Sequence, residues 1–118
     1  MAFPFEKLVV YQKSVTLYVL IVELRIPNLF ENKHIRNQLL RSALSISLNI
    51  AEGSGKESLR DRKNFLHIAR GSLYETVANL NILHHSKLID TTNYEKLYAL
   101  STEISKMLHA LIQKHLNQ

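Results

Sequence analysis

Apolar positions along the chain fall into four stretches, each with helical spacing. The first is apolar on nearly every side: Leu8, Val9, Val10, Tyr11, Val15, Leu17, Tyr18, Val19, Leu20, Ile21, Val22 and Leu24. Its β-branched residues would suit a strand, but about 20 residues without a turn signal is too long for one. The pattern predicts a helix over 5–26, ended at Pro27-Asn28 because the residue before a proline avoids the helical region. In the second stretch Ile35, Leu39, Ala43, Ile46 and Ile50 recur on one face, widened by Leu40, Leu44, Leu48 and Ala51. It predicts a helix over 31–52, with Gly53 as a left-handed cap. A third helix is expected over 58–87. Ser58 opens it as N-cap, with Asp61 three residues on. Leu66, Ala69, Leu73, Val77 and Leu80 line its core face, broadened by Phe65, Ile68 and Ile82 or Leu83. A fourth, over 92–115, is expected to be capped by Thr91 or Thr92 and to bury Leu97, Leu100, Ile104, Met107 and Leu111, flanked by Leu108 and Ile112.

Four long amphipathic segments with short connections make each helix an antiparallel neighbour of the next. The expectation is all-α: a single domain over 1–118 folded as an antiparallel up-down-up-down four-helix bundle. A bundle helix needs one buried stripe, and the first segment carries more apolar surface than that. The surplus predicts self-association through helix one. The alternative is that neighbouring helices cover it on both sides.

Composition narrows the functional classes. The chain has 118 residues, enough for one core, and no cysteine, so thiolate nucleophiles, thiolate metal sites and disulfides are excluded. The longest apolar run, Leu17 to Val22, is far short of the ~20 residues needed to cross a bilayer, and the N-terminus lacks a signal pattern. The reading is a soluble cytoplasmic protein with no membrane partner. The net charge is +5. Between Arg36 and Arg70 lie seven basic residues (Arg36, Arg41, Lys56, Arg60, Arg62, Lys63, Arg70) against three acids (Glu52, Glu57, Asp61), a local excess of 7 − 3 = +4. Such a field attracts a polyanion, or else merely solvates a helix face.

The stretch Gly53-Ser54-Gly55-Lys56 raises the question of a phosphate loop. A Walker loop follows a strand and ends G-K-[ST]; here a helix precedes it, Ile50 stands at the first glycine position, and Glu57 takes the place of the magnesium-binding hydroxyl. A helix–helix corner is the better reading. Lys56, Arg60, Arg62 and Lys63 crowd that corner beside a helix N-terminus, where backbone N–H groups favour anions; Glu57 and Asp61 oppose it. These four basic residues are the candidate nucleic-acid contacts. His84 and His85 are adjacent and diverge on a helix, and His109 and His115 do not share a face, so no metal or other cofactor is expected. Serines at 42, 45, 47 and 72 lack a base and an orienting acid; they suit close helix packing, and no catalytic residue is assigned. Gly71, in "ARGSLYE", costs roughly 1 kcal/mol against alanine in a helix interior, which points to close approach of helix two. Arg41, Glu52, Arg70 and Glu75 are candidates for ion pairs across that contact. No enzymatic activity is expected.

The segments "QLLRSALSISLNIAEGSGKES" and "FLHIARGSLYE" resemble the signature of the 23S rRNA intervening-sequence protein family, also known as four-helix-bundle proteins. The resemblance rests on Gln38, Arg41, Ala43, Ser45-Ile46, Asn49-Ile50-Ala51-Glu52-Gly53, Phe65-Leu66, Ile68-Ala69, Gly71-Ser72 and Glu75. "LVVYQKS" is similar to the family's opening, with Tyr11 where a tryptophan is common. Ser47 stands where the family often has proline, which implies a straighter second helix, and Leu40-Arg41-Ser42 loosens its double arginine. The resemblance implies a bundle assembling as a ring, typically a homopentamer, without established catalysis. It also implies a link to rRNA or other nucleic acid drawn from gene context and basic charge. Arg41, Asn49, Glu52, Gly53, Arg70, Gly71, Ser72 and Glu75 become motif residues with structural roles. The rival expectation is a protein-interaction scaffold with no nucleic-acid role.

Overall fold

A computed structural model describes residues 2–26 and 32–116. A short 3-10 helix, Pro4–Lys7, leads into α1 (Val9–Val22); α2 (Lys33–Ser54), α3 (Leu59–His85) and α4 (Thr91–Leu116) follow. Among the described residues there is no strand. The first expected helix is thus divided. Pro4 starts a 3-10 turn, and Leu8, with extended backbone (φ −71°, ψ 124°), serves as the N-cap of α1. α1 stops at Val22, before the expected end; the Pro27-Asn28 stop lies outside the described residues.

Cross-helix pairs fix the directions. Ser45 meets Ser72 and Ser42 meets Thr76, so α2 and α3 run antiparallel. Asn81 meets Tyr94 and His84 meets Thr91, so α3 and α4 do too. Lys13 pairs with Glu103, while Leu20 and Leu24 border the same recess as Lys96 and Leu97, which sets α1 antiparallel to α4. The order around the bundle is α1, α2, α3, α4 and back to α1; among the described residues the backbones of α1 and α3, and of α2 and α4, do not come close. The particle measures 47 × 24 × 22 Å.

The core is a single apolar column: Leu17 and Ile21 from α1, Leu39, Ile46 and Ile50 from α2, Leu73, Leu80 and Leu83 from α3, and Leu97, Ile104 and Leu108 from α4. The expected faces of α2 and α3 are recovered in their centres. On α4 the flanking Leu108 and Ile112 are buried, and Leu100, Met107 and Leu111 sit half-exposed at the edge. Leu44 and Leu48, expected to widen the buried stripe of α2, are exposed instead; Ile68 and Ile82 of α3 are as well.

A hydroxyl seam runs through this column. Ser14 donates to the Tyr11 carbonyl (2.6 Å) and bonds Ser47 across α1–α2 (2.8 Å). Thr76 donates to Ser42 (2.9 Å), and Ser45 bonds Ser72 (2.7 Å) while accepting from Asn49 Nδ2 (3.0 Å). Small side chains that satisfy one another let α2 lie close to both neighbours with the hydroxyls of the seam paired, although Asn79 Nδ2 on α3 is buried without a partner among the described residues. The serines expected to serve packing do so.

The turns correct several expectations. Gly53 lies within α2, and no glycine has positive φ; the helix ends at Ser54 and is capped by Gly55 at φ −89°. What Gly53 supplies is room: a Cβ there would stand 2.7 Å from Phe65 Cβ. Gly71, expected to admit α2, has nothing within 4 Å of its missing Cβ. Ser58 caps α3 as expected, accepting from the Asp61 N–H (3.1 Å). The α4 cap is Asp90 rather than Thr91 or Thr92; its carboxylate accepts from the Asn93 N–H (2.7 Å). α3 closes with Lys87 in the left-handed region (φ 60°), Leu88 N–H reaching Leu83 O and Lys87 N–H reaching His84 O. That is the Schellman pattern, filled by a lysine where glycine is usual.

Candidate nucleic-acid interface

The corner between α2 and α3 gathers the four basic residues because they span only residues 56–63 and the chain folds back there. Their roles differ. Arg62 donates through Nε to the Lys56 carbonyl (2.5 Å), tying the loop to the first turns of α3. Lys56 Nζ lies over the Phe65 ring, 5.2 Å from its centroid, a cation–π contact that holds its stem on the protein. Arg60 is exposed and Lys63 half-exposed. The structure therefore places all four at one end of α3, with two engaged locally. Glu57 and Asp61 are exposed in the same region.

Among the motif residues, Gly53, Asn49 and Ser72 have the structural contacts described above. Arg41, Glu52 and Glu75 are exposed, and Arg70 is half-exposed above Tyr74, 5.5 Å from the ring centroid. Among the described residues these four form no ion pair with one another. The ion pair seen is Lys13–Glu103 (2.7 Å), on the far side of the bundle. The anticipated charge pairing across α2–α3 is absent because hydroxyls carry that contact.

His84 stacks on Tyr94 with ring centroids 4.2 Å apart and planes 2° from parallel, and bonds Thr91 (3.2 Å); Asn81 donates to the Tyr94 hydroxyl (3.1 Å). His84 thus joins the end of α3 to the start of α4, while His85 bonds the Asn81 carbonyl of its own helix (2.9 Å). No group of three or more His, Asp or Glu able to hold a metal occurs among the described residues.

Exposed apolar side chains form a strip. Lys13 faces α4 on one flank of α1; Val15, Val19 and Val22 occupy the opposite flank, toward α2. On α2 the Ser42–Ser45 flank meets α3, and Leu40, Leu44 and Leu48 occupy the flank toward α1. Val19 (47% exposed), Val22 (44%), Leu44 (41%) and Leu48 (58%) leave this two-helix face greasy along its length. The surplus expected of helix one is therefore shared with α2, a share that sequence reading assigned to the core.

Hydroxyl-bonded helix contacts, a basic corner and exposed apolar side chains on α1 and α2 define a small four-helix bundle. The chain belongs to the family described as 23S rRNA-intervening sequence protein, whose profile matches residues 6–110. A crystal structure of a protein of unknown function from the S23 ribosomal protein family of Bacteroides thetaiotaomicron is similar to it. The two share 36% identity and superpose with a TM-score of 0.79, over 88% of this chain and 98% of that one. Among proteins of curated function, none matches. No helix among the described residues is long and apolar enough to cross a membrane.

Proposed function

We propose that the protein is a non-enzymatic, cytoplasmic, self-associating bundle that holds RNA or another nucleic acid on its basic surface. The observation that carries this reading is the strip of Val19, Val22, Leu44 and Leu48. Exposed apolar side chains running along two adjacent helices are what an interface between copies buries. Assembly also supplies what the corner lacks alone: four cations, two of them engaged locally and opposed by two carboxylates, bind a phosphate chain weakly, and repetition around a ring multiplies the contact. The resemblance noted in the sequence supports a homopentamer with α1 in the interface. The serines a nucleophile would draw on are bonded across helices, which supports a role without catalysis.

Titration of a structured RNA at rising salt tests the reading. With Lys56, Arg60, Arg62 and Lys63 each meeting a phosphate, log K falls against log salt with a slope of about −3. Arg60→Ala and Lys63→Ala should flatten that slope by roughly 1 each. A slope near zero, or no binding at low salt, refutes the nucleic-acid role. A monomer at micromolar concentration by sedimentation refutes the assembly, and Leu48→Glu should produce one. The second reading is a protein scaffold without nucleic acid. It is favoured by the local engagement of Arg62 and Lys56, and capture of a specific protein partner after nuclease treatment would support it.

A further inference from the structure

A second surface lies on the opposite side of the bundle, between α3 and α4. There a recess of about 380 Å³ is bounded by Tyr74 on α3 and by Tyr98, Thr102, Ser105 and Lys106 on α4. Both tyrosines are open to solvent, Tyr74 at 58% and Tyr98 at 49%. The Tyr98 ring leans on Tyr94, with centroids 5.8 Å apart, and among the described residues neither the Tyr74 nor the Tyr98 hydroxyl has a hydrogen-bond partner. Tyr74 instead carries the Arg70 guanidinium, 5.5 Å from its centroid. The stripe continues toward the corner: Lys63, His67, Arg70 and Tyr74 stand at i, i+4, i+7 and i+11 of one helix, and therefore on one face. No carboxylate borders the recess: Glu103, next to Thr102, turns to the other flank of α4 and pairs with Lys13, while Glu95 lies about one turn before Tyr98 and Glu75 adjoins Tyr74 outside the lining.

Aromatic faces alternating with cations along a groove are what single-stranded nucleic acid requires: the rings take unstacked bases and the cations follow the phosphates. A duplex does not suit it, because its bases are already stacked and the deep groove of A-form RNA excludes side chains. We infer that the α3–α4 groove binds single-stranded RNA, with bases stacked on Tyr74 and Tyr98 and the backbone led by Lys63, Arg70 and Lys106. Lys106 borders the recess and Arg70 stands over Tyr74, with no acid in the lining, which favours this occupant over a protein strand of mixed charge. Thr102, which is exposed, donates its proton to the Tyr98 carbonyl, so its oxygen remains an acceptor for a ribose 2′-hydroxyl. The inference rests on the nucleic-acid reading above and refines it. Lys63 belongs to both surfaces, so the corner becomes the head of the groove.

The test is binding of a short oligouridylate and of an RNA duplex to the full chain. The chain has five tyrosines and no tryptophan, so base stacking is read directly as quenching of tyrosine fluorescence. The oligouridylate should bind more tightly than the duplex and quench the signal. Tyr74→Ala and Tyr98→Ala should each weaken it roughly 5- to 150-fold, whereas Tyr74→Phe keeps the ring and the affinity. Both side chains are exposed, so circular dichroism should be unchanged. If the oligouridylate binds with unaltered affinity in both alanine variants, the groove is not the site, and binding through the corner stands without it. If neither RNA binds the wild-type chain at low salt, both readings fall. If the alanine variants change the oligomeric state and leave RNA affinity intact, the groove is an interface between copies and the inference is overturned.

Discussion

Two glycines of the family motif should respond to alanine with opposite signs. At Gly53 a Cβ would stand 2.7 Å from Phe65 Cβ, whereas ordinary contact begins at 3.4 Å. The obstacle is the root of the phenylalanine side chain, so rotation about χ1 gives no relief and the backbones of α2 and α3 must part by about 3.4 − 2.7 = 0.7 Å. A gap of that size forfeits a quarter to a half of the dispersion well for each pair of atoms lining it, and overpacking of this kind typically costs about 1–3 kcal/mol. Alanine recovers about 1 kcal/mol of helix propensity, so Gly53→Ala should destabilise by up to about 2 kcal/mol. At Gly71 nothing lies within 4 Å. There only the propensity acts, and Gly71→Ala should stabilise by up to about 1 kcal/mol. Urea denaturation at one fixed chain concentration separates the two, since the stability of an assembling protein depends on concentration. Thermal midpoints should move about 4 °C per kcal/mol, downward for the first and upward for the second. A stabilising Gly53→Ala would refute the packing argument, because no other term in the balance carries its sign.

The buried Ser14–Ser47 pair should behave as a unit: each alanine variant costs about 1 kcal/mol and the double variant less than the sum, which a double-mutant cycle in urea measures. Lys87→Gly should stabilise by about 1 kcal/mol by relieving a left-handed non-glycine residue, read as a raised urea midpoint with unchanged slope. Asp90→Ala should cost about 1 kcal/mol as a lost N-cap, while Thr92→Ala stays within about 0.5 kcal/mol; equal losses would assign the cap to both. Oligouridylate should add to the sedimenting assembly without dissociating it, since the apolar strip and the α3–α4 groove lie on different faces; dissociation would mean that the two surfaces overlap.

The helices were legible because helical periodicity is local, and the centres of all four lie within their expected spans. The width of each buried face was not. Periodicity places Leu44 and Leu48 beside the stripe of α2, but whether a neighbour covers them depends on how far α1 wraps around, and α1 stops at Val22. The basic corner was legible for the same local reason, its members being close in sequence. The engagement of Arg62 with the Lys56 carbonyl was not, because it needs the path of the loop. The glycine roles were exchanged: a cap was expected at Gly53 and a close approach at Gly71, while the register of α2 on α3 sets Gly53 against Phe65 and leaves Gly71 in the open. The Tyr74–Tyr98 groove had no signal along the chain. Its two sides are 24 residues apart, and only the antiparallel register of α3 on α4 brings them together.

The cyclic order of the helices links these surfaces. Because α1 touches α2 and α4 but not α3, and α2 touches α1 and α3 but not α4, the α1–α2 face and the α3–α4 face lie on opposite sides of the bundle. Copies joined through the apolar strip would leave their grooves uncovered and turned away from the contact. A closed ring built this way repeats Lys63, Arg70, Tyr74 and Tyr98 at regular spacing around its outside. One strand following that spacing meets each groove in turn, so the second and later contacts form at high effective concentration. Weak single sites then suffice, which fits a groove with few cations and a corner whose charges are partly spent on the loop.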